Sequence, residues 1–211
     1  MEVIVAKLGG SIARRRFDRL KGILEELSYA KKIVIVPGGW IFADISRLID
    51  LKIGLEDETS HTLGIMSMEM FAKVLLDVGK EKFKPALLNE LVFNRERENR
   101  FILLPYSSNM HKLDLPKSWE VTSDSLALWT AKMLKKEYNV KVIKITDVDG
   151  IFVNGKLVKK IRAEEVKGCL DPYSLKFIRE FEIPVFVCNG IIKNRVKSYI
   201  LEGQTLGTLV I

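Results

Sequence analysis

An α/β fold, with a mainly parallel sheet covered by helices on both faces, is predicted by three observations. Strand-like runs such as Val3-Ile4-Val5 and Ile33-Val34-Ile35-Val36 are apolar at every position, which is how strands buried on both faces read. Helical periodicity follows each of them, as in Phe17, Leu20, Ile23, Leu24 and Leu27. The first two strands also end alike, in Gly9-Gly10-Ser11 and in Pro37-Gly38-Gly39. Parallel sheets bind ligands at the carboxyl ends of their strands, so both glycine loops are expected on one edge.

The first strand carries Lys7, which ends beside its glycine turn. A buried lysine is costly unless it meets a negative charge, so Lys7 calls for an anion. Glycine lets backbone N–H groups approach an anion without an intervening Cβ. Ser11 can cap the next helix or bond a phosphate oxygen. Taken alone, a Gly-Gly-Ser turn is also an ordinary strand-to-helix loop. Neither G-x-G-x-x-G nor G-x-x-x-x-G-K-[ST] occurs in the chain.

The second helix starts near Ile41 and runs through Ala43, Ile45 and Leu48, and a long helical pattern covers Glu58 to Lys80. Pro85 to Arg100 is irregular and shows no strong parallel strand, suggesting helices over the sheet edge as a lid or acceptor lobe. Phe101-Ile102-Leu103-Leu104 returns to strand character, and the loop from Pro105 to Glu120 is long enough to suggest a functional role. Val121-Thr122-Ser123-Asp124-Ser125 opens a further helix with Thr122 or Ser123 as its N-cap. Asp124 in the first turn complements the helix dipole. The strand Val140 to Ile145 enters Thr146-Asp147-Val148-Asp149-Gly150, where the two carboxylates either orient a nucleotide or metal or form a tight turn. Asn154-Gly155 marks a hairpin. Ile183 to Val187 is a core strand, a helix runs to Glu202, and Gly207 to Ile211 reads as an edge strand.

At 211 residues and 47% apolar composition the chain supports one sizeable core, and one domain over 1–211 is expected. No apolar run approaches a membrane span and no signal-peptide pattern opens the chain, so a cytoplasmic protein without a membrane partner is expected. Cys169 and Cys188 show no metal spacing and read as free thiols. Two histidines, His61 and His111, exclude a histidine-rich metal site, and no metal ligands are assigned. The net charge of +7, with a cluster at Arg14-Arg15-Arg16, fits a highly charged small substrate. Such runs on helix faces are usually solvated surface, and aromatic residues do not interleave with the basic ones, so nucleic acid is not an expected partner. A single glutamine amid many Lys and Glu points to a thermophilic source.

K-L-G-G-S at the start, V-P-G-G near residue 37, T-S-D-S-L-A at 122, T-D-V-D-G-I-F at 146, C-N-G at 188 and the terminal G-T-L-V-I together resemble the amino acid kinase family in order and spacing. The resemblance implies an αβα sandwich around a mainly parallel sheet of about eight strands, with an acceptor lobe at about 40–120 and a nucleotide-side lobe at about 121–211. It implies transfer of the γ-phosphoryl group of Mg-ATP to a small anionic acceptor: a carboxylate, a carbamate or a phosphate. By the same resemblance Lys7 contacts the transferring phosphoryl group, Asp124 holds that lysine, and Gly9, Gly10 and Ser11 surround the β- and γ-phosphates. Thr146, Asp147, Asp149, Gly150 and Phe152 match the nucleotide-side loop, with the two carboxylates ordering it rather than binding phosphate. Gly38 and Gly39 face the acceptor, joined by Thr122 and Ser123.

Ser60-His61, Met68-Glu69 and Ser118 to Ser125 resemble most the small archaeal branch of that family whose acceptor is an aminomethylfuran phosphate. A phosphate monoester is therefore the expected acceptor, with uridylate or carboxylate as alternatives. His61 reads equally as a core residue or an acceptor contact, Trp119 as packing for its loop, and Lys193 and Arg195 as phosphate ligands or surface charges. Trp40 stands where many relatives carry a third glycine. That departure keeps open a non-catalytic nucleotide-binding or sensor protein on the same fold. A homo-oligomer is expected.

Overall fold

The computed structural model describes residues 1–94, 96 and 98–211. In chain order its elements are β1 (Glu2–Leu8), α1 (Gly10–Arg15), α2 (Arg19–Leu27), β2 (Lys32–Pro37), α3 (Trp40–Ile53), α4 (Asp57–Val78), β3 (Lys84–Ala86), α5 (Leu88–Phe93) and β4 (Asn99–Leu103). Then follow α6 (Ser123–Lys135), β5 (Asn139–Thr146), the hairpin β6 (Phe152–Val153) and β7 (Lys156–Leu157), β8 (Lys160–Ile161), α7 (Pro172–Phe181), β9 (Val185–Asn189), α8 (Arg195–Glu202) and β10 (Thr208–Val210). Among the described residues one eight-stranded sheet forms in the order β3-β4-β2-β1-β5-β9-β10-β8, with every neighbouring pair parallel except β9 and β10.

The strands are apolar throughout because each side of the sheet has its own core. Val3 and Val5 of β1 join Val34, Val36 and Val142 beneath α6 and α7. Ile4, Ala6 and Leu8 join Ile33, Ile35, Ile143 and Ile145 beneath α1, α2 and α8. Helix α4 serves both cores, with Ile65 and Met68 in the first and Phe71, Ala72 and Leu75 in the second. Side chains alternate along a strand, so Lys7 shares the face of Val3 and Val5 and lies toward α6. Among the described residues no helix is long and apolar enough to cross a membrane.

Four local expectations change. β10 lies between β9 and β8 and is not an edge strand; the edge is taken by the two-residue β8. The irregular stretch after α4 contains a parallel strand, β3, which at three residues is too short to show a period. Phe17 stands outside the helical stripe: α1 and α2 are separate, and Phe17 between them is half exposed. Ser11 caps nothing, because α1 begins at Gly10, one residue earlier. The Asn154-Gly155 turn forms as expected, with φ of 50° and 76° at its two residues, the left-handed pair that closes a two-residue hairpin.

Candidate active site

The two glycine loops touch. A Cβ on Gly10 would lie 2.5 Å from Cα of Trp40, and one on Gly38 would lie 2.9 Å from the backbone nitrogen of Gly10. Side chains are therefore excluded from this contact, and the backbones of both loops form one cradle at the carboxyl ends of β1 and β2. Gly9 donates from its backbone to Ile145 at 3.0 Å and Gly38 to Leu8 at 2.9 Å, which ties the cradle to the sheet.

Lys7 pairs in register with Lys144 of β5, so two lysines stand side by side on one face of adjacent parallel strands. Such neighbours repel unless an anion lies between them. Asp124 fills that place from the first turn of α6, with Oδ1 2.9 Å from the Lys7 ammonium and Oδ2 2.5 Å from that of Lys144. All three side chains are buried. Burial pushes the Asp124 carboxyl up, but the two ammonium groups outweigh it and hold the acid below the usual carboxylate range. Burial pulls Lys7 below the ordinary lysine value, opposed by Asp124 and reinforced by Lys144. Burial also lowers Lys144, yet Asp124 prevails and its pKa is raised. The two lysines differ in anchoring as well. Lys144 also donates to the carbonyl of Cys169, whereas the ion-pair partner of Lys7 among the described residues is Asp124. Lys7 is thus the one free to turn toward a ligand.

Thr122 is the N-cap of α6, its hydroxyl accepting from the Asp124 backbone at 3.2 Å. The cap is itself held by Asp171, which no sequence reading singled out. Asp171 accepts from the backbone and hydroxyl of Thr122 at 3.2 and 2.6 Å and from those of Ser125 at 3.1 and 2.5 Å, while capping α7 through Ser174. One buried carboxylate thus fixes the loop that carries Asp124. Asp-Pro-Tyr-Ser announces a helix cap; nothing local announces that the carboxylate reaches back to residue 122. Lys144 was equally missed, although the argument applied to Lys7 holds for it too: of the two lysines in β5 it is the one inside the apolar run Val142 to Ile145.

On the β5 side, Ser11 approaches Thr146 at 3.5 Å, Thr146 donates to Asp147 at 3.2 Å, and Asp147 pairs with Arg15 at 2.9 Å, so the two loops are joined. Asp149 turns the other way, accepting from Asn189 at 3.0 Å and from Arg195, and these bonds hold its carboxyl below the usual range. Gly150, at φ 151°, packs so closely on Thr208 that a Cβ would lie 2.5 Å from its hydroxyl; its visible role is to seat the loop on β10. Phe152 is exposed on the hairpin. Lys193 is exposed and forms no ion pair or hydrogen bond among the described residues. The structure thus gathers Lys7, Gly9, Gly10, Ser11, Asp124, Thr146 and Asp147, but does not bring Phe152 or Lys193 to them.

Beside the cradle opens a cleft of about 170 Å³, lined by Gly10, Ser11, Gly38, Gly39, Thr122 and Ser123 at its floor and by His61, Ile65, Met68 and Trp119 among its walls. Trp40 adopts φ 48°, the left-handed region that favours glycine, and packs on Phe17, Phe42 and Phe71 with ring centroids 5.3 to 5.6 Å apart. The aromatic cluster holds the strained residue in place where it lines the cleft. Trp119 both packs its loop and faces the cleft, its indole N–H donating to Asp50 at 2.8 Å.

His61 is 6% exposed, and its Nε2 has no hydrogen-bond partner among the described residues. Burial, aided by Lys117 and His111, lowers its pKa to about 4, so the imidazole is neutral near pH 7. Because the folded value lies below that of the unfolded chain, near 6.5, the unfolded state binds the extra proton between pH 6.5 and 4. Stability contributed by the neutral ring is then lost as pH falls through that window, by at most about 3 kcal/mol. Melting temperatures across it should fall more steeply for the wild type than for His61→Gln. Parallel curves would show that this ring does not titrate there.

The model of the amino acid kinase family matches residues 2–189. The chain is 36% identical over 209 residues to the (5-(aminomethyl)furan-3-yl)methyl phosphate kinase of Methanocaldococcus jannaschii, covering 95% of this chain and 93% of that one. Its fold is similar to that of the UMP kinase of Bacillus anthracis, with a TM-score of 0.76 at 19% identity over 99% of this chain and 95% of the other. It is similar also to the uridylate kinase of Archaeoglobus fulgidus, with a TM-score of 0.75 at 15% identity over the whole of both chains. With the family model spanning most of its length and a relative alignable almost end to end, the chain belongs to the amino acid kinase family.

Proposed function

We propose that this protein is a kinase that transfers the γ-phosphoryl group of Mg-ATP to the phosphate of a small phosphate monoester, such as an aminomethylfuran phosphate. The observation that carries this reading is the buried Lys7, Asp124 and Lys144 array opening on a glycine cradle beside a small cleft. An acceptor phosphate oxygen bonds to the γ-phosphorus as the bond from that phosphorus to the β,γ-bridging oxygen breaks, and ADP leaves with the electron pair. The acceptor is already an anion and no general base is required. Catalysis then rests on alignment and on compensation of the spreading charge.

In this reading Lys7 neutralises the transferring group while Asp124 and Lys144 set its position. Gly9, Gly10 and Ser11 hold the β- and γ-phosphates, for which a cradle with no room for a Cβ at Gly10 or Gly38 is suited. Thr146 and Asp147, with Asp149, Gly150, Phe152 and Lys193 further out, serve the nucleotide. Gly38, Gly39, His61, Thr122 and Ser123 serve the acceptor. Residues of about 40–120 would form the acceptor lobe and those of about 121–211 the nucleotide lobe. Magnesium would arrive on the ATP phosphates and neutralise part of their charge; among the described residues no cluster of three His, Cys, Asp or Glu is poised to hold a metal. The cleft, at about 170 Å³, lies below the roughly 300 Å³ at which drug-sized sites begin, which favours a small ring over a nucleotide as acceptor.

An archaeal, cytoplasmic homo-oligomer completes the proposal. The oligomer is supported by the outer side of α3, where Ile41, Ile45, Leu48 and Ile49 are exposed. The deciding experiment incubates the protein with labelled ATP and a panel of the aminomethylfuran phosphate, uridylate, isopentenyl phosphate, acetylglutamate and aspartate. Label should pass to a phosphate monoester. Transfer confined to a carboxylate would sink the phosphate reading, and ATP binding without transfer to any acceptor would favour a nucleotide sensor.

A further inference from the structure

Helix α3 turns Trp40, Ala43, Asp44 and Arg47 to the cleft, and their i, i+3, i+4, i+7 spacing makes one continuous face. On that face Asp44 pairs with Arg14 of α1 at 2.5 Å, both side chains about half exposed. Arg47 lies over the Trp119 ring, its guanidinium carbon 4.7 Å from the ring centre. Among the described residues that line the cleft, Arg14 and Arg47 are the only cationic side chains and Asp44 the only carboxylate. His61 supplies no charge there, being neutral. The basic run at residues 14–16, which reads as solvated surface, thus contributes one member to the cleft.

We propose that Arg14 and Arg47 form the clamp for the acceptor's dianionic phosphate, and that Asp44 competes with that phosphate for Arg14. This rests on the phosphate-acceptor reading above. A guanidinium keeps its planar fork of donors available at the edge while its face stacks on an indole, so Arg47 can bind an anion without leaving Trp119. Trp119 is held in turn by its bond to Asp50, which makes the stacked arginine a preorganised ligand. The Arg14 and Asp44 pair is half solvated, and such pairs contribute little, so a dianion can displace the carboxylate at small cost. Ile65, Met68 and Leu126 line the same cleft and can take the apolar body of the acceptor.

The test is an equilibrium titration with benzyl phosphate, without ATP, on the wild type and three variants, with melting temperatures recorded for each. Arg14→Gln and Arg47→Gln should each weaken binding roughly 10- to 100-fold, as expected for loss of a charge-assisted hydrogen bond. Asp44→Asn should tighten it, a change of opposite sign that no general loss of structure produces. Unchanged affinity in both arginine variants, weaker binding by Asp44→Asn, or benzoate binding as tightly as benzyl phosphate would each overturn the clamp. If those results coincide with turnover of a phosphate monoester, the clamp alone has failed. Wild-type protein that ignores benzyl phosphate while phosphorylating a carboxylate overturns the acceptor reading and the clamp together.

Discussion

Replacing Lys7 by Met is expected to lower phosphotransfer on the order of 10²- to 10³-fold while leaving the melting temperature nearly unchanged. The activity estimate is that for losing one preorganised charge aimed at a transition state in a site that excludes water. The near-neutral effect on stability follows from the geometry. Met keeps the apolar stem on the Val3 and Val5 face of β1, and Asp124 retains its bond to Lys144. The fold therefore loses a lysine whose burial already lowers its pKa, and keeps a compensated carboxylate. The measurement is turnover with whichever acceptor the panel identifies, alongside thermal unfolding. Turnover equal to wild type would remove Lys7 from the mechanism; a large fall in melting temperature would mean that the lysine is chiefly a structural counter-charge.

Asp124→Asn should act on both stability and turnover. Asparagine keeps the shape but leaves Lys7 and Lys144 facing each other in register without a counter-charge. Breaking a buried ion pair by removing one partner costs about 3–5 kcal/mol. The pH dependence provides a sharper check. In the wild type the Asp124 pKa is depressed on folding, so its contribution is present above the unfolded carboxyl value and is lost as pH falls through the folded one. The Lys144 pKa is raised on folding, so its contribution is present below the unfolded lysine value and is lost as pH rises through the folded one. In the variant both contributions vanish, and both lysines gain by shedding a proton. Its stability deficit in denaturant unfolding should therefore shrink as pH rises from 6 toward 10. A deficit independent of pH would argue against lysine repulsion as its cause. Adding Lys144→Met to Asp124→Asn should restore stability without restoring turnover, because the position of Lys7 stays unset; restored turnover would show that the carboxylate serves only to balance charge.

The framework of this fold was open to sequence reasoning because its signals are local. Apolar strands such as Ile33 to Val36, the glycine pairs that end β1 and β2, and the Asn154-Gly155 turn each state their geometry within a few residues. A cap at Thr122 or Ser123, of which the structure takes Thr122, and the need of Lys7 for an anion follow from chemistry within a single turn. What failed locally was short or paired at a distance. The three-residue β3 has too few positions for a period, and β10 looks like an edge because its neighbour β8 is two residues long and nearly fifty residues away in the chain.

The sequence alone determined the layers of this protein and the residue types at its phosphate cradle, because periodicity, glycine and a strand lysine constrain structure within one element. The tertiary structure alone decided the partners. Sheet register put Lys144 beside Lys7, the packing of α7 on α6 brought Asp171 to the loop of Asp124, and the contact of α1 with α3 turned Arg14 and Arg47 into one cleft. Those pairings depend on which elements become neighbours, and partners 20 residues apart, as Asp124 and Lys144, or 46 apart, as Ser125 and Asp171, leave no period for a local pattern to reveal.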